Sequence, residues 1–196
     1  MITGETIKYK YTPNSNRKYM KVLHLSMEEK ILVLCVVAFS LVHLFYFPSY
    51  FASVDEHEYL KNSFLLQKGT LTEPDITKAC KAQFNGQGYM SHFFIGRSLF
   101  LIPFTFFGFG AVMLSGLVIH LLNMFLFYRL MKKLGYNPLY SLFYLLYPAF
   151  FWEARTLNSE ILVLTGILAG VYFYLSEKKA HYILAGVFLG LASLVR

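Results

Sequence analysis

The stretch Ser53-Val54-Asp55-Glu56-His57-Glu58-Tyr59 places three carboxylates within four positions, directly beyond the first long apolar run of the chain. That run, residues 31–47, is apolar enough to enter a bilayer. Carboxylates held at the edge of a membrane bundle are costly to keep there and usually indicate chemistry or transport. Ser53 followed three places later by Glu56 is typical of a capping box, which predicts a helix with Asp55 in its first turn.

The composition differs from that of an ordinary soluble domain. Of the 196 residues, 56% are hydrophobic and 15% are charged, whereas charged residues make up about a quarter of a soluble protein. Apolar segments of roughly 17–25 residues recur, as transmembrane helices require. The net charge of +7 comes from lysines and arginines that lie mostly beside these segments, and no nucleic-acid-binding motif occurs. We therefore predict an all-α membrane protein, a multi-pass bundle of transmembrane helices.

The predicted topology has a cytoplasmic segment, residues 1–30, and a transmembrane domain, residues 31–196. Every short loop fits one orientation by the positive-inside rule, with the N-terminus in the cytoplasm. An outer loop, residues 49–92, carries amphipathic interfacial helices, the first with Leu60 and Phe64 on its apolar side. The five predicted spans are residues 31–50, 110–130, 139–152, 161–175 and 182–195.

Residues 92–109 are also apolar enough to span, but Gly96-Arg97-Ser98 and Pro103 interrupt them. If this segment spanned the bilayer, the next span would run outward and leave the three cations of residues 129–133 outside. An interfacial or re-entrant segment keeps those cations in the cytoplasm, so we expect that arrangement.

Arg196 follows the last apolar run directly. A terminal carboxylate at this place would lie at or near hydrocarbon, where charge is costly. We therefore expect the transmembrane domain to be incomplete at its C-terminus and the chain to be the front part of a longer protein.

Two polar residues occur one turn apart within the second predicted span, His120 and Asn123. Polar side chains inside a membrane bundle commonly hydrogen-bond from one helix to another. We expect these two residues to connect helices rather than to contact a substrate.

Four patterns follow one another along the chain. They are Asp55-Glu56-His57-Glu58-Tyr59; Gly86-Gln87-Gly88-Tyr89-Met90-Ser91-His92 leading into Gly96-Arg97-Ser98-Leu99 and Pro103; Tyr147-Pro148-Ala149-Phe150 followed by Glu153-Ala154-Arg155-Thr156-Leu157-Asn158-Ser159-Glu160; and Ala185-Gly186-Val187-Phe188-Leu189-Gly190-Leu191-Ala192 with Arg196. In this order, residues 31–196 resemble the N-terminal part of the GT-C superfamily of membrane glycosyltransferases. The branch with the protein O-mannosyltransferases and the lipid A aminoarabinose transferases is the most similar.

The resemblance implies an inverting transfer of a sugar from a polyprenyl-phosphate carrier to a protein, lipid or glycan acceptor. The reaction would take place on the outer or lumenal face of a cell membrane, or of the endoplasmic reticulum membrane in a eukaryote. Mannose is the first expectation for the sugar. The alternative is a subunit that binds lipid carriers without reacting, or part of a transporter or flippase. A transporter is expected to show paired half-repeats and midplane charges, whereas the acids here lie at one face.

The candidate catalytic residues are Asp55 and Glu56. An inverting transfer needs a base on one side of the sugar and stabilisation of the departing phosphate on the other. The resemblance implies that Asp55 is the general base, and the alternative is that Asp55 only caps its helix. Glu56 has the same two interpretations, because a capping box would occupy its side chain.

The candidate substrate-binding residues are Arg97, Arg155, Glu160 and His92. Arg97 is expected either to bind a phosphate or to extend to the lipid headgroups. Arg155 is expected to face the carrier phosphate, and Glu160 to orient the sugar or the acceptor. The alternative for these two is a surface ion pair worth about 0–1 kcal/mol. His92 lies at the start of the predicted interfacial segment.

The sequence establishes no cofactor, but a divalent cation, Mg²⁺ or Mn²⁺, is compatible with it. His57 and Glu58 could join Asp55 around such an ion. Adjacent acids with one histidine do not define a metal site, and a solvated loop face is the alternative interpretation.

Overall fold

The computed structural model describes four ranges of the chain: 26–75, 82–84, 86–176 and 178–195. Most of the predicted cytoplasmic segment, and Arg196, lie outside the described residues. The described part is mostly helical, in agreement with the predicted all-α class. Its helices are α1 (Met27–Phe45), α2 (Val54–Gln67), α3 (Ile95–Thr105), α4 (Phe109–Lys133), α5 (Ser141–Leu146), α6 (Pro148–Glu153), α7 (Glu160–Tyr174) and α8 (Lys179–Val195).

The starts of α1 and α2 follow from their capping residues. Ser26 Oγ accepts a hydrogen bond from the Glu29 amide at 3.2 Å, and the Glu29 carboxylate accepts one from the Ser26 amide at 3.0 Å. Ser53 Oγ accepts a hydrogen bond from the Glu56 amide at 3.3 Å. These bonds satisfy amides that have no partner within the helix. The predicted helix with Asp55 in its first turn is therefore confirmed.

The segment predicted as the third span, residues 139–152, is not one helix. A 3-10 turn (Pro138–Tyr140) and α5 lead to Tyr147, whose ψ of 122° is extended, and α6 begins at Pro148. Proline has no amide hydrogen and disfavours the helical conformation of the residue before it. The prediction of a single helical span is therefore wrong here.

The loop at residues 49–92 contains a small antiparallel sheet that the sequence analysis did not predict. Its strands, in the spatial order β1–β3–β2, are β1 (Thr72–Glu73), β2 (Ala82–Phe84) and β3 (Tyr89–Ser91). Thr72 pairs with Met90, and Phe84 pairs with Tyr89. Strands of two or three residues are too short to show the alternation by which a strand is recognised in a sequence.

The polar residues of α4 connect it to its neighbours. Asn123 Nδ2 donates a hydrogen bond to the carbonyl of Ile161 in α7 at 2.8 Å, which confirms the interhelical role predicted for Asn123. The ring of His120 stacks between those of Phe39 in α1 and Tyr144 in α5, with centroid distances of 4.8 and 4.9 Å. Together these contacts hold α1, α5 and α7 around α4.

The close approach of α7 and α8 depends on a glycine of α7. A Cβ built on Gly166 would lie 2.7 Å from the Cβ of Ala192 and 2.9 Å from the carbonyl oxygen of Phe188. Small residues at a helix interface let the two backbones come close together. Gly186 and Gly190, the glycines of α8, have open space where a Cβ would be.

The two ends of the helix bundle differ in charge. At the basic end, Lys132 Nζ lies 3.3 Å from a carboxylate oxygen of Glu29. The basic end is named for its three cations, which outnumber its one carboxylate. Its residues are Glu29, Tyr128, Arg129, Lys132, Lys133 and Tyr172. The residues that define the acidic end are Asp55, Glu56, Glu58, Glu153 and Glu160. The acidic end therefore contains the beginnings of α2 and α7 and the end of α6.

Among the described helices, α4 alone is long and apolar enough to cross a membrane by itself. The apolar helices α7 and α8 have 15 and 17 residues, whereas a span perpendicular to the bilayer needs about 20. Helix α1 has 19 residues but begins with the charged residues 28–30. Large apolar side chains project from α1 and α8, including Phe45, which is 81% exposed, and Ile183, which is 71% exposed.

We expect Gly166→Ala to destabilise the protein, because the added methyl group would meet both Ala192 and the backbone of α8. Overpacking of this kind costs roughly 1–3 kcal/mol. Gly190→Ala is the matched control, since it adds the same methyl group to open space. Unfolding in detergent micelles, followed by circular dichroism, should show a lower midpoint for the first variant only. Equal midpoints would contradict the glycine contact.

Candidate functional site

Helix α2 turns much of its polar surface inward. Glu56 and Glu58 are fully buried, and Ser63 Oγ donates a hydrogen bond to the carbonyl of Ser98 in α3 at 2.8 Å. Phe64, by contrast, is 46% exposed. The inward face of α2 therefore brings carboxylates, rather than only apolar side chains, against the rest of the bundle.

Arg97 of α3 lies fully buried beneath the connection between α6 and α7. Its Nε donates a hydrogen bond to the carbonyl oxygen of Leu157 at 2.9 Å, and its guanidinium lies 5.4 Å from the ring centroid of Phe100. Within the described residues, Nη1 and Nη2 have no hydrogen-bond partner. Burial lowers the pKa of Arg97 to about 10, so the group remains a cation at neutral pH. The alternative that Arg97 extends to the lipid headgroups is wrong.

Glu56 lies near the same loop residue as Arg97. Ser53 Oγ donates a hydrogen bond to its Oε1 at 3.5 Å, and Oε2 has no hydrogen-bond partner within the described residues. Burial raises the pKa of Glu56, while the backbone amides of Ala52 and Leu157, Ser53 and the charge of Arg97 act in the opposite direction. Helices α2 and α3 therefore both approach the loop between α6 and α7 at Leu157.

Three of the predicted site residues lie close enough to Tyr59 of α2 for their charges to act on its pKa. Burial raises the pKa of the Tyr59 hydroxyl, a hydrogen bond with Ser159 lowers it, and the charges of Glu160 and Asp55 raise it further. Arg97 acts on the same hydroxyl with the opposite sign. Asp55 is partly exposed and Glu160 is exposed. The structure thus brings Asp55, Glu160 and Arg97 together around one buried tyrosine.

Arg155 lies in a neighbouring cleft at the same end of the bundle. Its Nη2 donates a hydrogen bond to the carbonyl of Tyr46 at 2.7 Å, and its guanidinium lies 5.8 Å from the ring centroid of Phe151. The cleft has a volume of about 290 Å³ and includes Trp152 and Tyr50 in its lining. An arginine among aromatic rings at the end of a helix bundle could bind an anionic group attached to an apolar chain.

Glu153 is a site residue that the sequence analysis includes only within the third pattern and not among the candidate residues. Burial raises its pKa, and a hydrogen bond with Asn158 acts in the opposite direction. The charge of Glu160 also raises this pKa, and that of Arg97 lowers it. No local pattern could have separated Glu153 from the other acids, because its environment comes from α3 and from the loop that follows α6.

The remaining candidates lie apart from this cluster. His92 is exposed in the connection between β3 and α3. Glu58 is fully buried, with Nζ of Lys61 and Nδ1 of His57 each 3.9 Å from one of its carboxylate oxygens. In the part of the chain that the structure describes, no group of three or more His, Cys, Asp or Glu side chains could hold a metal ion. Asp55, His57 and Glu58, the candidate ligands of Mg²⁺ or Mn²⁺, therefore do not form such a group.

Comparisons of the chain with known protein families, with curated proteins and with solved structures found no match. The function of the acidic end is therefore inferred from its geometry and chemistry. The resemblance of the sequence to the GT-C superfamily remains a hypothesis.

We expect Glu56→Gln to change how stability depends on pH. Because the pKa of Glu56 is raised in the folded state, the native protein binds more protons than the unfolded chain at pH values just above 4.5. The contribution of Glu56 to stability therefore decreases as the pH rises through the interval between the unfolded and folded pKa values. A glutamine cannot ionise, so the stability of the variant should fall less between pH 4.5 and pH 7.

The free energy of unfolding, measured in detergent at a series of pH values, tests this expectation. Glu28→Gln is the matched control, because it removes one acid from the start of α1, away from the acidic end. The same pH dependence in the wild type and in Glu56→Gln would show that Glu56 does not carry the effect.

Proposed function

We propose that this protein is an integral membrane glycosyltransferase that transfers a sugar, in the first instance mannose, from a polyprenyl-phosphate carrier to an acceptor, with inversion. The observation that carries the proposal is the grouping of Asp55, Glu160 and Arg97 around Tyr59, beside the cleft of Arg155. It places a partly exposed carboxylate and two guanidinium groups at one end of an apolar bundle. The carboxylate of Asp55 suits the abstraction of a proton, and the guanidinium of Arg155 suits the binding of a phosphate, whereas Arg97 is fully buried and lies among the acids.

A multi-pass membrane placement is part of this proposal. The helices that run between the two ends alternate in direction, and their outer surfaces carry many exposed apolar side chains. Exposed apolar surface on this scale indicates contact with a membrane or with another protein. Helices α7 and α8 are short, so they would need to tilt little or to meet a locally thinner bilayer. By the positive-inside rule, the basic end faces the cytoplasm and the acidic end faces outward.

Asp55 is the proposed general base. The acceptor hydroxyl attacks the anomeric carbon, and its proton passes to the Asp55 carboxylate as the new C–O bond forms. The bond between the anomeric carbon and the phosphate oxygen breaks, and its electron pair leaves with the carrier phosphate. Asp55 lies in the first turn of α2, at the positive end of the helix dipole.

Glu56 supports this reaction by positioning Asp55. Its carboxylate is fully buried near the amides of Ala52 and Leu157, so it holds the first turn of α2 against the loop. We therefore assign Glu56 to positioning, although the sequence made it a catalytic candidate.

Arg155 is the proposed ligand of the carrier phosphate. It lines an open cleft whose aromatic rings, including Trp152 and Tyr50, could contact the first part of an isoprenoid chain. A guanidinium stabilises the charge that develops on the departing phosphate. Glu160, exposed at the start of α7, is placed to orient the acceptor.

We expect Asp55→Asn to lower the transfer of labelled sugar from a polyprenyl-phosphate donor by about 10²–10⁴-fold, the usual contribution of a general base. Membranes that contain the protein supply the enzyme for this assay. His57→Gln is the control, because the His57 side chain is 60% exposed in the same turn of α2. Transfer that survives Asp55→Asn unchanged would exclude the proposed base. Carrier binding without any transfer by the wild type would favour a non-enzymatic lipid-carrier subunit.

We expect Arg155→Gln to raise the KM for the donor by roughly tenfold or more, since a hydrogen bond to a charged group contributes about 1.5–3 kcal/mol. Lys179→Gln removes one cation from the start of α8, outside the cleft, and should leave the KM unchanged. Initial rates over a range of donor concentrations separate KM from kcat. If both KM and kcat were unchanged in Arg155→Gln, Arg155 would not belong to the phosphate site.

A further inference from the structure

The basic end of the bundle contains a cleft with an excess of positive charge. Arg129, Lys132 and Lys133 line this cleft of about 570 Å³, and Glu29 is the carboxylate among its lining residues. Hydrogen bonds from Tyr128 and from the Ser26 amide, together with Lys132, lower the pKa of Glu29 to about 2. Glu29 is thus ionised at neutral pH and neutralises Lys132.

Arg129 and Lys133 are held by one tyrosine of α7. Arg129 Nη2 donates a hydrogen bond to the hydroxyl of Tyr172 at 3.1 Å, and Lys133 Nζ donates one to its backbone carbonyl at 3.0 Å. Both cations also lie near the Tyr172 ring, at 5.9 and 4.7 Å from its centroid. A guanidinium has five N–H donors and an ammonium has three. Both side chains therefore contact Tyr172 and still have donors for an anion.

An apolar groove adjoins this cleft. Glu29 and Tyr128 line both the cleft and the groove, which has a volume of about 330 Å³ between α1 and α4. The other residues lining the groove are apolar: Leu32, Val33, Val36, Val37, Met124 and Phe125. Leu32 and Met124 are buried, whereas Val33 and Phe125 are each 50% exposed, so a chain in the groove would cover apolar surface that is otherwise open.

We propose that the basic end binds an anionic phospholipid, with its phosphate at Arg129 and Lys133 and one acyl chain in the groove between α1 and α4. The cations alone would bind any anion, and the groove alone would accept any apolar chain. Only an anionic lipid satisfies both, and basic pockets between helices at the membrane surface are suited to such headgroups. This site lies at the opposite end of α4 from Asp55 and does not depend on the proposed reaction.

The first test measures the binding of phosphatidylglycerol and of phosphatidylcholine to the purified protein by native mass spectrometry. The wild type should bind phosphatidylglycerol more tightly. In the double variant Arg129→Gln/Lys133→Gln, the ratio of the affinity for phosphatidylglycerol to that for phosphatidylcholine should fall by roughly tenfold or more. Each cation near an anionic lipid usually contributes about 1 kcal/mol. Circular dichroism checks that it is folded. If it is not, Lys133→Gln, which keeps the Arg129–Tyr172 contact, should show a smaller loss in the same direction.

The matched control is Lys178→Gln/Lys179→Gln, which removes the same charge from two exposed positions outside the cleft. This control should retain the preference for phosphatidylglycerol. An equal loss in the control would overturn the proposal, because the effect would then come from net charge. If the wild type showed no preference for phosphatidylglycerol, the proposal would also be wrong.

The second test concerns the groove. Wild-type protein should bind long-chain phosphatidylglycerol more tightly than its dihexanoyl form, and Val33→Trp, which fills the groove, should reduce that difference. If the wild type bound both forms alike, the acyl chain would have no site in the groove and the proposal would be wrong.

Discussion

The buried guanidinium of Arg97 is the constraint on which the acidic end depends. A buried charge is costly unless it is hydrogen-bonded and balanced by other charges. Arg97 meets this requirement only in part: its Nε donates a hydrogen bond to the carbonyl of Leu157, and the charges of Glu56 and Glu153 act on the guanidinium. Nη1 and Nη2 have no hydrogen-bond partner within the described residues. Helices α2 and α3 and the loop after α6 therefore meet at one residue. The position of Asp55, one residue before Glu56 in α2, follows from this junction.

Helix α4 separates the two ends of the bundle. With 25 residues it is about 37 Å long, and the hydrocarbon core of a bilayer is about 30 Å thick. Carboxylates and buried Arg97 lie near its beginning, and its three cations lie near its end. The proposed transfer site and the proposed lipid site thus occupy opposite ends of one helix. In a membrane they would face opposite sides.

Local sequence patterns predicted the structure well where the deciding contacts lie within one helical turn. Ser53 caps a helix at the predicted place, and Asn123 connects two helices because a polar group in an apolar bundle needs a partner. The break at Pro148 has a local cause, since the residue before a proline disfavours the helical conformation. The fourth sequence pattern contains the glycines of α8, but Gly166 of α7 is the one that makes the close contact.

The sequence by itself determined the helical class, the helix starts and the separation of acids from cations, because these follow from neighbours along the chain and from charge. Only the tertiary structure decided that Glu56 is buried and that the adjacent Asp55 remains partly exposed. It also showed that Arg97 faces inward rather than toward the lipid headgroups. The physical reason is that burial depends on partners distant in sequence. Arg97 and Leu157 are 60 positions apart, and no local pattern records that they meet.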